Sequence, residues 1–450
     1  GEVDAFGEWF TLSADGSTLA VSAWYDSSSS AGIDGDESDN SMRISGAVHV
    51  YRRSGKQWAK EAFVKASNPD AEDIFGREIA LSRDGGTMAI GAVGEDSAAT
   101  GVDGDQAENS VASAGAIYVF RRRDGAWEQE AYIKAPHPSE FDYLGSGLAL
   151  SDDGNTLAAS LARDDSGASG INGDPEDDSV TDSGAALIYR FEGAAWKQEA
   201  YIKAALPDER DDFGIPVSLS GDGDTLALGV YGEDSAAVGV NGDSSDNSAP
   251  DAGAVYVYQF ANGAWQQQAY LKASNMEAGD RFGRGLVLSR DGNTLAIGSP
   301  LEDSGSSGID GEQQDNSAPQ SGAVYVFTRT DGSWTQDAYL KASNPDPGDG
   351  FGLGLALNDE ANLLAVSASG EDSAAVGING DQSDNSAAGN FGAVYLFSFS
   401  DSTWRQVSYV KSPNPPAMVP SGLGYYVMLS GDGTTMVVST TFGHEAVFWY

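Results

Sequence analysis

Cysteine is absent from the 450 residues, so disulfides and thiol chemistry are excluded. Histidine is nearly absent too: His49, His137 and His444 are the only imidazoles. No apolar run reaches 18 residues, so no membrane-spanning helix is expected. No stretch carries the 3.6-residue apolar period of an amphipathic helix. Bases are scarce, with 25 Lys and Arg against 68 Asp and Glu and a formal charge of −43. Such a balance argues against binding nucleic acid through its phosphates and against docking on anionic membranes. It favours cation binding, high solubility or a saline setting. The chain opens on Gly1 rather than Met and shows no signal segment, and it reads as a portion of something longer.

What the sequence does contain is a repeat. Phe-Gly stands at Phe6-Gly7, Phe75-Gly76, Phe213-Gly214, Phe282-Gly283 and Phe351-Gly352, with Leu144-Gly145 and Leu423-Gly424 in the same register. The spacing is 69 residues, stretched to 72 at the last step. Trp58, Trp127, Trp196, Trp265, Trp334 and Trp404 keep nearly the same period. An array this regular is built from equivalent units, none able to bury its apolar surface alone.

The fifth unit shows the plan. Phe282 to Ser289 reads as a strand (A), and an Asp291-Gly292 turn leads to a second strand (B) from Thr294 to Gly298. A polar loop from Ser299 to Ser321 follows. Gly322 to Phe327 is a third strand (C), apolar on both faces, so both faces must be covered. After the Asp331-Gly332 turn, Trp334 to Lys341 is a fourth strand (D) that alternates apolar and polar residues. Four-stranded antiparallel meanders with buried inner strands and a half-exposed outer strand predict a seven-bladed β-propeller. Its blades span 6–68, 75–137, 144–206, 213–275, 282–344, 351–414 and 423–450, forming one domain over 1–450. The last is incomplete, with strands near Gly424–Ser430, Thr434–Ser439 and Glu445–Tyr450 and no strand D. The ring is expected either to close on that three-stranded blade or to borrow a strand.

The Phe-Gly opening, Gly298-Ser299-Pro300 and the run Gly322 to Phe327 resemble the FG-GAP repeats of the integrin α-subunit propeller and its bacterial and protist relatives. The resemblance covers the whole chain. It implies a seven-bladed propeller, extracellular or at the cell surface, often calcium-bound and used for adhesion or ligand display. In that family calcium sits in the A–B turn. Here the turn is only Ser-x-Asp-Gly, as in Ser13 to Gly16, so that site does not carry over.

The acids gather instead in the B–C loops, which repeat Gly-[Ile/Val]-[Asp/Asn]-Gly-[Asp/Glu]-x-x-[Asp/Glu]-[Asn/Asp]-Ser. Candidate Ca2+ ligands are Asp34, Asp36 and Asp39; Asp103, Asp105 and Glu108; Asn172, Asp174 and Asp177. The later units supply Asn241, Asp243 and Asp246; Asp310, Glu312 and Asp315; Asn379, Asp381 and Asp384. Hard Ca2+ takes oxygen ligands, and carboxylates two residues apart around a Gly can converge on one ion. The same spacing also suits Asx-turns in a solvated loop. An acid precedes each loop: Asp26, Glu95, Asp164, Glu233, Glu302 and Glu371.

In an antiparallel meander the B–C loops and D–A links share one end, here strongly acidic, while cations such as Arg121, Arg122 and Arg123 gather at the other. A protein or glycan partner is expected at the acidic end, with Trp24, Tyr25 and Tyr231 as exposed aromatic ligand contacts. Self-assembly through the incomplete seventh blade is a further route. No Ser–His–Asp set, HExxH or phosphate loop can be assembled, so no catalytic residue is assigned and the chain reads as non-enzymatic. The rival readings are a structural subunit of a surface filament or layer, and a propeller enzyme acting on extracellular polysaccharide. His49 replaces a strand C tyrosine and reads as a packed core residue. The repeated Trp should pack on strand C of its own blade. The repeated Lys (Lys65, Lys134, Lys203, Lys272, Lys341, Lys411) should snorkel or pair with a nearby acid.

Overall fold

Each repeat folds as its alternation dictates, strand after strand, with no helix among the described residues. The computed structural model describes residues 4–383, 391–412 and 422–440, and the backbone of 447–449. The first repeat gives β1 (Phe6–Leu12), β2 (Thr18–Ala23), β3 (Ala47–Ser54) and β4 (Gln57–Val64). The second gives β5 (Phe75–Leu81), β6 (Thr87–Ala92), β7 (Ala116–Arg123) and β8 (Ala126–Ile133), and the third β9 (Leu144–Leu150), β10 (Thr156–Leu161), β11 (Ala185–Glu192) and β12 (Ala195–Ile202). The fourth holds β13 (Val217–Leu219), β14 (Thr225–Val230), β15 (Ala254–Ala261) and β16 (Ala264–Leu271). Next come β17 (Gly285–Leu288), β18 (Thr294–Ser299), β19 (Ala323–Thr330) and β20 (Ser333–Leu340), then β21 (Phe351–Leu357), β22 (Leu363–Ala368), β23 (Ala393–Ser400) and β24 (Thr403–Val410). The last repeat has β25 (Leu423–Leu429), β26 (Met436–Thr440) and β27 (Val447–Trp449). Among the described residues these make six sheets of four strands in chain order and one of three.

Two compact units divide the chain: one holds residues up to Asp224 with Ala261–Trp265, the other Thr225–Phe260 and everything from Gln266 on. The division falls within the fourth repeat. The fifth repeat departs from expectation in strand A. A turn occupies Phe282 to Arg284, with the Arg284 N–H donating to Arg281 O, so β17 begins only at Gly285.

The core explains the strand patterns. Every residue of β6 is buried, and the first five of β7 are too, because both faces of the sheet are covered. In the first unit Val48, Val50 and Val64 pack against Phe75, Ile90, Tyr118 and Tyr132 of the next sheet. Ile117, Val119 and Ile133 in turn meet Leu144, Leu157, Leu187 and Tyr189. The second unit repeats this with Val255 and Val257 against Phe282, Leu295 and Tyr325, and with Val324 and Val326 against Phe351, Leu364 and Tyr395. Burying a Val or Leu side chain is worth about 1.5–3 kcal/mol, so neighbouring sheets supply most of each other's stability.

The Phe-Gly marker is the seam between successive sheets. Gly46 pairs in parallel with Phe75, and Gly115 with Leu144. Gly76 has φ +94°, and a Cβ there would lie 2.9 Å from the Ala47 carbonyl of the preceding sheet. Only glycine supplies both that conformation and that approach. The A–B turn holds itself: Asp15 accepts from Ser13 Oγ at 2.6 Å and Ser17 N at 2.8 Å, while Ser13 Oγ accepts the Thr18 N–H at 2.9 Å. The repeated Trp does more than pack on its own blade. Phe191 of β11 contacts Trp196, but the indole N–H reaches the preceding sheet: Trp127 to Glu61 at 3.2 Å, Trp196 to Glu130 at 3.2 Å and Trp334 to Gln268 at 2.9 Å.

Candidate functional site

At the B–C end of each four-stranded sheet lies a buried clasp between residues 39 or 40 apart in sequence. Glu95, just beyond β6, meets Lys134, just beyond β8: Lys134 Nζ donates to Glu95 Oε2 at 2.6 Å. Tyr132 OH donates to the other oxygen at 2.6 Å, and Ser97 N donates at 3.1 Å. The pattern recurs as Lys65–Asp26 at 3.1 Å, Lys203–Asp164 at 2.8 Å, Lys272–Glu233 at 2.6 Å, Lys341–Glu302 at 2.8 Å, and Lys411–Glu371. All six lysines are buried, so they pair rather than snorkel. Burial pulls the Lys134 ammonium below its ordinary value while Glu95 pushes it back up. Burial, reinforced by Glu95, drives the Tyr132 hydroxyl well above its own, so it stays a donor.

The loop carboxylates hold backbone. Asp34, Asp103, Asn172, Asn241, Asp310 and Asn379 all take φ near +55°. Each accepts one N–H from strand D through a side-chain oxygen: Phe63 N to Asp34, Tyr132 N to Asp103 and Tyr201 N to Asn172, all at 3.0 Å. Tyr270 N to Asn241 and Tyr339 N to Asp310 are also 3.0 Å, and Tyr409 N to Asn379 is 2.9 Å. One carbonyl-type oxygen is all the position needs, which is why Asp and Asn alternate there. That alternation was the readable signal, since a site selected for charge would not exchange them freely. Asp103→Asn should therefore change stability by less than about 0.5 kcal/mol, whereas Asp103→Ala should cost about 1–2 kcal/mol by orphaning the Tyr132 N–H. Urea unfolding of the two variants checks this.

The second loop position closes an Asx-turn. Asp36 accepts from Ser38 N at 2.9 Å, Asp105 from Ala107 N at 3.0 Å and Asp174 from Glu176 N at 3.0 Å. Asp243 accepts from Ser245 N at 2.9 Å, Glu312 from Gln314 N at 3.4 Å and Asp381 from Ser383 N at 3.0 Å. Hydrogen bonds from Ser38 hold the Asp36 carboxyl below its usual range. Asp39 is lowered to about 2, chiefly by Ser29. Glu108 accepts from Ala98 N at 2.6 Å and Asp246 from Ser248 N at 3.1 Å. Asp177 and Asp315 act through their main-chain carbonyls, which accept from Gly167 N and Gly305 N at 2.7 and 2.8 Å. Asp384 lies outside the described residues, as does His444. Among the described residues no three His, Cys, Asp or Glu side chains come together to hold a metal.

Sequence reading missed a latch between neighbouring repeats. Asn68 Nδ2 donates to Gln106 O at 2.8 Å, and Tyr118 OH donates to Asn68 Oδ1 at 2.7 Å. Asn275 repeats this with Gln313 and Tyr325, and Asn344 with Gln382 and Tyr395. The readable signal was a concerted change in one copy. Where Ser-Asn becomes Pro136-His137, the facing Gln becomes Pro175 and the Tyr becomes Leu187. His137 keeps a buried Nδ1 with no hydrogen-bond partner among the described residues. His49 was expected in the core but is only half-buried; its ring lies 5.3 Å from the Phe6 ring and 5.1 Å from Phe63, with burial pushing its pKa down to about 4.

The aromatic candidates occupy the same end of their blades. Trp24 donates from Nε1 to Glu8 at 2.9 Å and stacks on Tyr25 at 3.8 Å between centroids. Tyr25 is exposed and Trp24 half-buried against Trp9, whose ring Arg77 covers at 3.8 Å. Tyr231 is half-buried beneath Arg284 and Arg281, 5.2 and 6.0 Å from its ring centre.

Residues 265–327 match the FG-GAP repeat family. No curated protein matches the chain. Among solved structures, the β-propeller domain of Myceliophteria thermophila Cps50 (Swd1) aligns with a TM-score of 0.51 at 9% identity, over 99% of this chain and 96% of that one. Its likeness shows a β-propeller fold. The Pseudomonas aeruginosa periplasmic gluconolactonase PpgL aligns at 0.47 and 15% identity, over 89% and 91% of the two chains. A chain of the mitotic checkpoint complex aligns at 0.49 and 12% identity, over 98% and 88%.

Proposed function

This chain is an FG-GAP-type β-propeller, and from that premise we propose that it works outside the cell as a non-enzymatic module for adhesion, ligand binding or extracellular assembly. Six four-stranded sheets and one of three strands read as seven blades, the last lacking its strand D. One observation carries the functional reading. The recurring clasp of Lys134, Glu95 and Tyr132 is engaged inside the blades, while residues that break the repeat stand at the B–C end, the 37%-exposed Tyr25 among them. A scaffold of that kind varies its surface and keeps its chemistry internal. The strong negative charge sets the partner class: a protein or glycan, and neither nucleic acid nor an anionic membrane.

Binding to an array of matrix proteins and glycans tests the reading. Saturable binding to at least one arrayed polymer is expected, weakened about tenfold or more by Tyr25→Ala at unchanged circular dichroism. Wild type and variant binding alike, or neither binding anything, would refute it. Ca2+ binding by the B–C loops belongs to the same proposal: to take up the ion the loops would turn carboxylates away from N–H groups they now accept from and toward the metal. EGTA should then lower the melting temperature of protein prepared with Ca2+ by more than about 2 °C. A melt unmoved by the chelator would remove the ion from the proposal.

A further inference from the structure

The third repeat carries three departures from the pattern that converge on one place. Where the fifth and sixth repeats have Gly279 and Gly348, it has Phe141, held at φ +70° and 48% exposed. Tyr143 stands where the sixth has Gly350, and Arg163 where the second, fourth and sixth have Gly94, Gly232 and Gly370. A left-handed backbone disfavours a bulky side chain and would be easiest for glycine. The three line one cavity of ≈ 400 Å³ together with Glu140, Asp165 and Asp182. Phe141 and Tyr143 lie 6.2 Å apart between ring centroids, and the Arg163 guanidinium covers the Tyr143 ring at 5.4 Å. Arg163 makes no side-chain hydrogen bond or ion pair with any of the described residues, although the protein has an excess of acids.

We propose that this cavity binds a neutral pyranose, the terminal hexose of a glycan. The lining specifies what a ligand must present. Arg163 only donates, and the carboxylates of Glu140, Asp165 and Asp182 only accept. The ligand must therefore carry closely spaced donors and acceptors; the three carboxylates turn an anion away, and hydroxyl groups satisfy both them and Arg163 without a charge of their own. It must also show an apolar face to Phe141 and Tyr143. A hexose has vicinal hydroxyls, each both donor and acceptor, and a face of C–H groups. The volume stands at the lower end of small-ligand sites, which run from about 300 to 1,000 Å³, and suits one or two sugar rings.

The inference rests on the binding reading above and names a ligand class for a second place on it. Saturation-transfer NMR of the whole chain with methyl α-mannoside, methyl β-galactoside, methyl β-glucoside and methyl β-glucuronide is the test. At least one neutral glycoside should show weak saturable transfer. Phe141→Ala and Arg163→Ala should each weaken it about tenfold or more. Both side chains are exposed, so an unchanged melting temperature should accompany the loss. Tyr25→Ala should leave the signal intact. Transfer from no neutral glycoside, from the glucuronide alone, or equally from wild type and both variants would overturn the proposal. Array binding that survives Phe141→Ala while glycoside transfer is missing sinks this site and spares the adhesive function. Glycoside transfer without array binding does the reverse.

Discussion

Replacing Glu95 with Ala should destabilise the protein by about 3–5 kcal/mol, the largest single-residue effect we expect. Glu95 holds Lys134 at 2.6 Å, Tyr132 OH at 2.6 Å and Ser97 N at 3.1 Å inside the protein. Removing the carboxylate leaves an ammonium with 0% side-chain exposure and takes away its direct partner, with only the more weakly acting Asp96 and Asp142 near it. Two companion variants separate charge from packing. Tyr132→Phe deletes only the hydroxyl and should cost about 1 kcal/mol, since the first repeat already uses Phe63 there. The pair Glu95→Gln with Lys134→Met removes both charges together and should cost less than Glu95→Ala alone. Denaturant unfolding gives all three, and a Glu95→Ala loss below about 1 kcal/mol would show that the clasp is not what holds the loop end.

The second large effect is on pH. Asp73, Asp142, Asp280 and Asp349 are among the five buried D–A link aspartates, Asp211 being the other. Desolvation, helped by nearby acids, pushes the first three up to about 8 and Asp349 to about 7. Around Asp73 those acids are Glu95, Asp70 and Asp96; around Asp142 they are Asp164, Asp165 and Asp178. A carboxyl raised in the fold binds its proton more tightly there than in the unfolded chain. Its contribution is complete below the unfolded value near 3.8 and falls away as pH rises toward 7–8. Each site can therefore cost up to about 1.4 kcal/mol per pH unit across that window. The melting temperature should climb steadily from pH 8.5 to pH 5. Below pH 4 the trend should flatten, because Asp39, lowered to about 2, loses its turn bonds on protonation. Asp142→Asn keeps an acceptor for the Ser139 N–H, now at 2.7 Å, and carries no charge. It should raise stability at pH 8 and shallow the slope; a flat profile in the parent would contradict the account.

How much of this could be read beforehand depends on distance along the chain. The strands were legible because their signals are local: Asp-Gly turns, the alternation of β20, and the two-faced apolar run of β7. The Phe-Gly marker was visible as a period, but its role as a seam needed the Ala47 carbonyl beside Gly76. The clasp was half legible. Its acid and its lysine were both seen to recur, yet 39 residues part Glu95 from Lys134, and no local pattern joins them. The loop carboxylates drew attention to charge, whereas their geometry uses a single oxygen per side chain. Phe141 and Arg163 could have been found by asking where the repeat spells glycine and one copy does not.

The seam and the clasp differ in reach. The clasp closes within one 69-residue stretch, from Glu95 to Lys134, whereas the seam asks a neighbour only for a main-chain carbonyl, which every residue owns. A segment of that length is thus an interchangeable cassette. Unequal crossing-over could copy or delete it in frame wherever the new junctions keep the few side chains that adjoining repeats share, such as Trp127 with Glu61 and Asn68 with Tyr118.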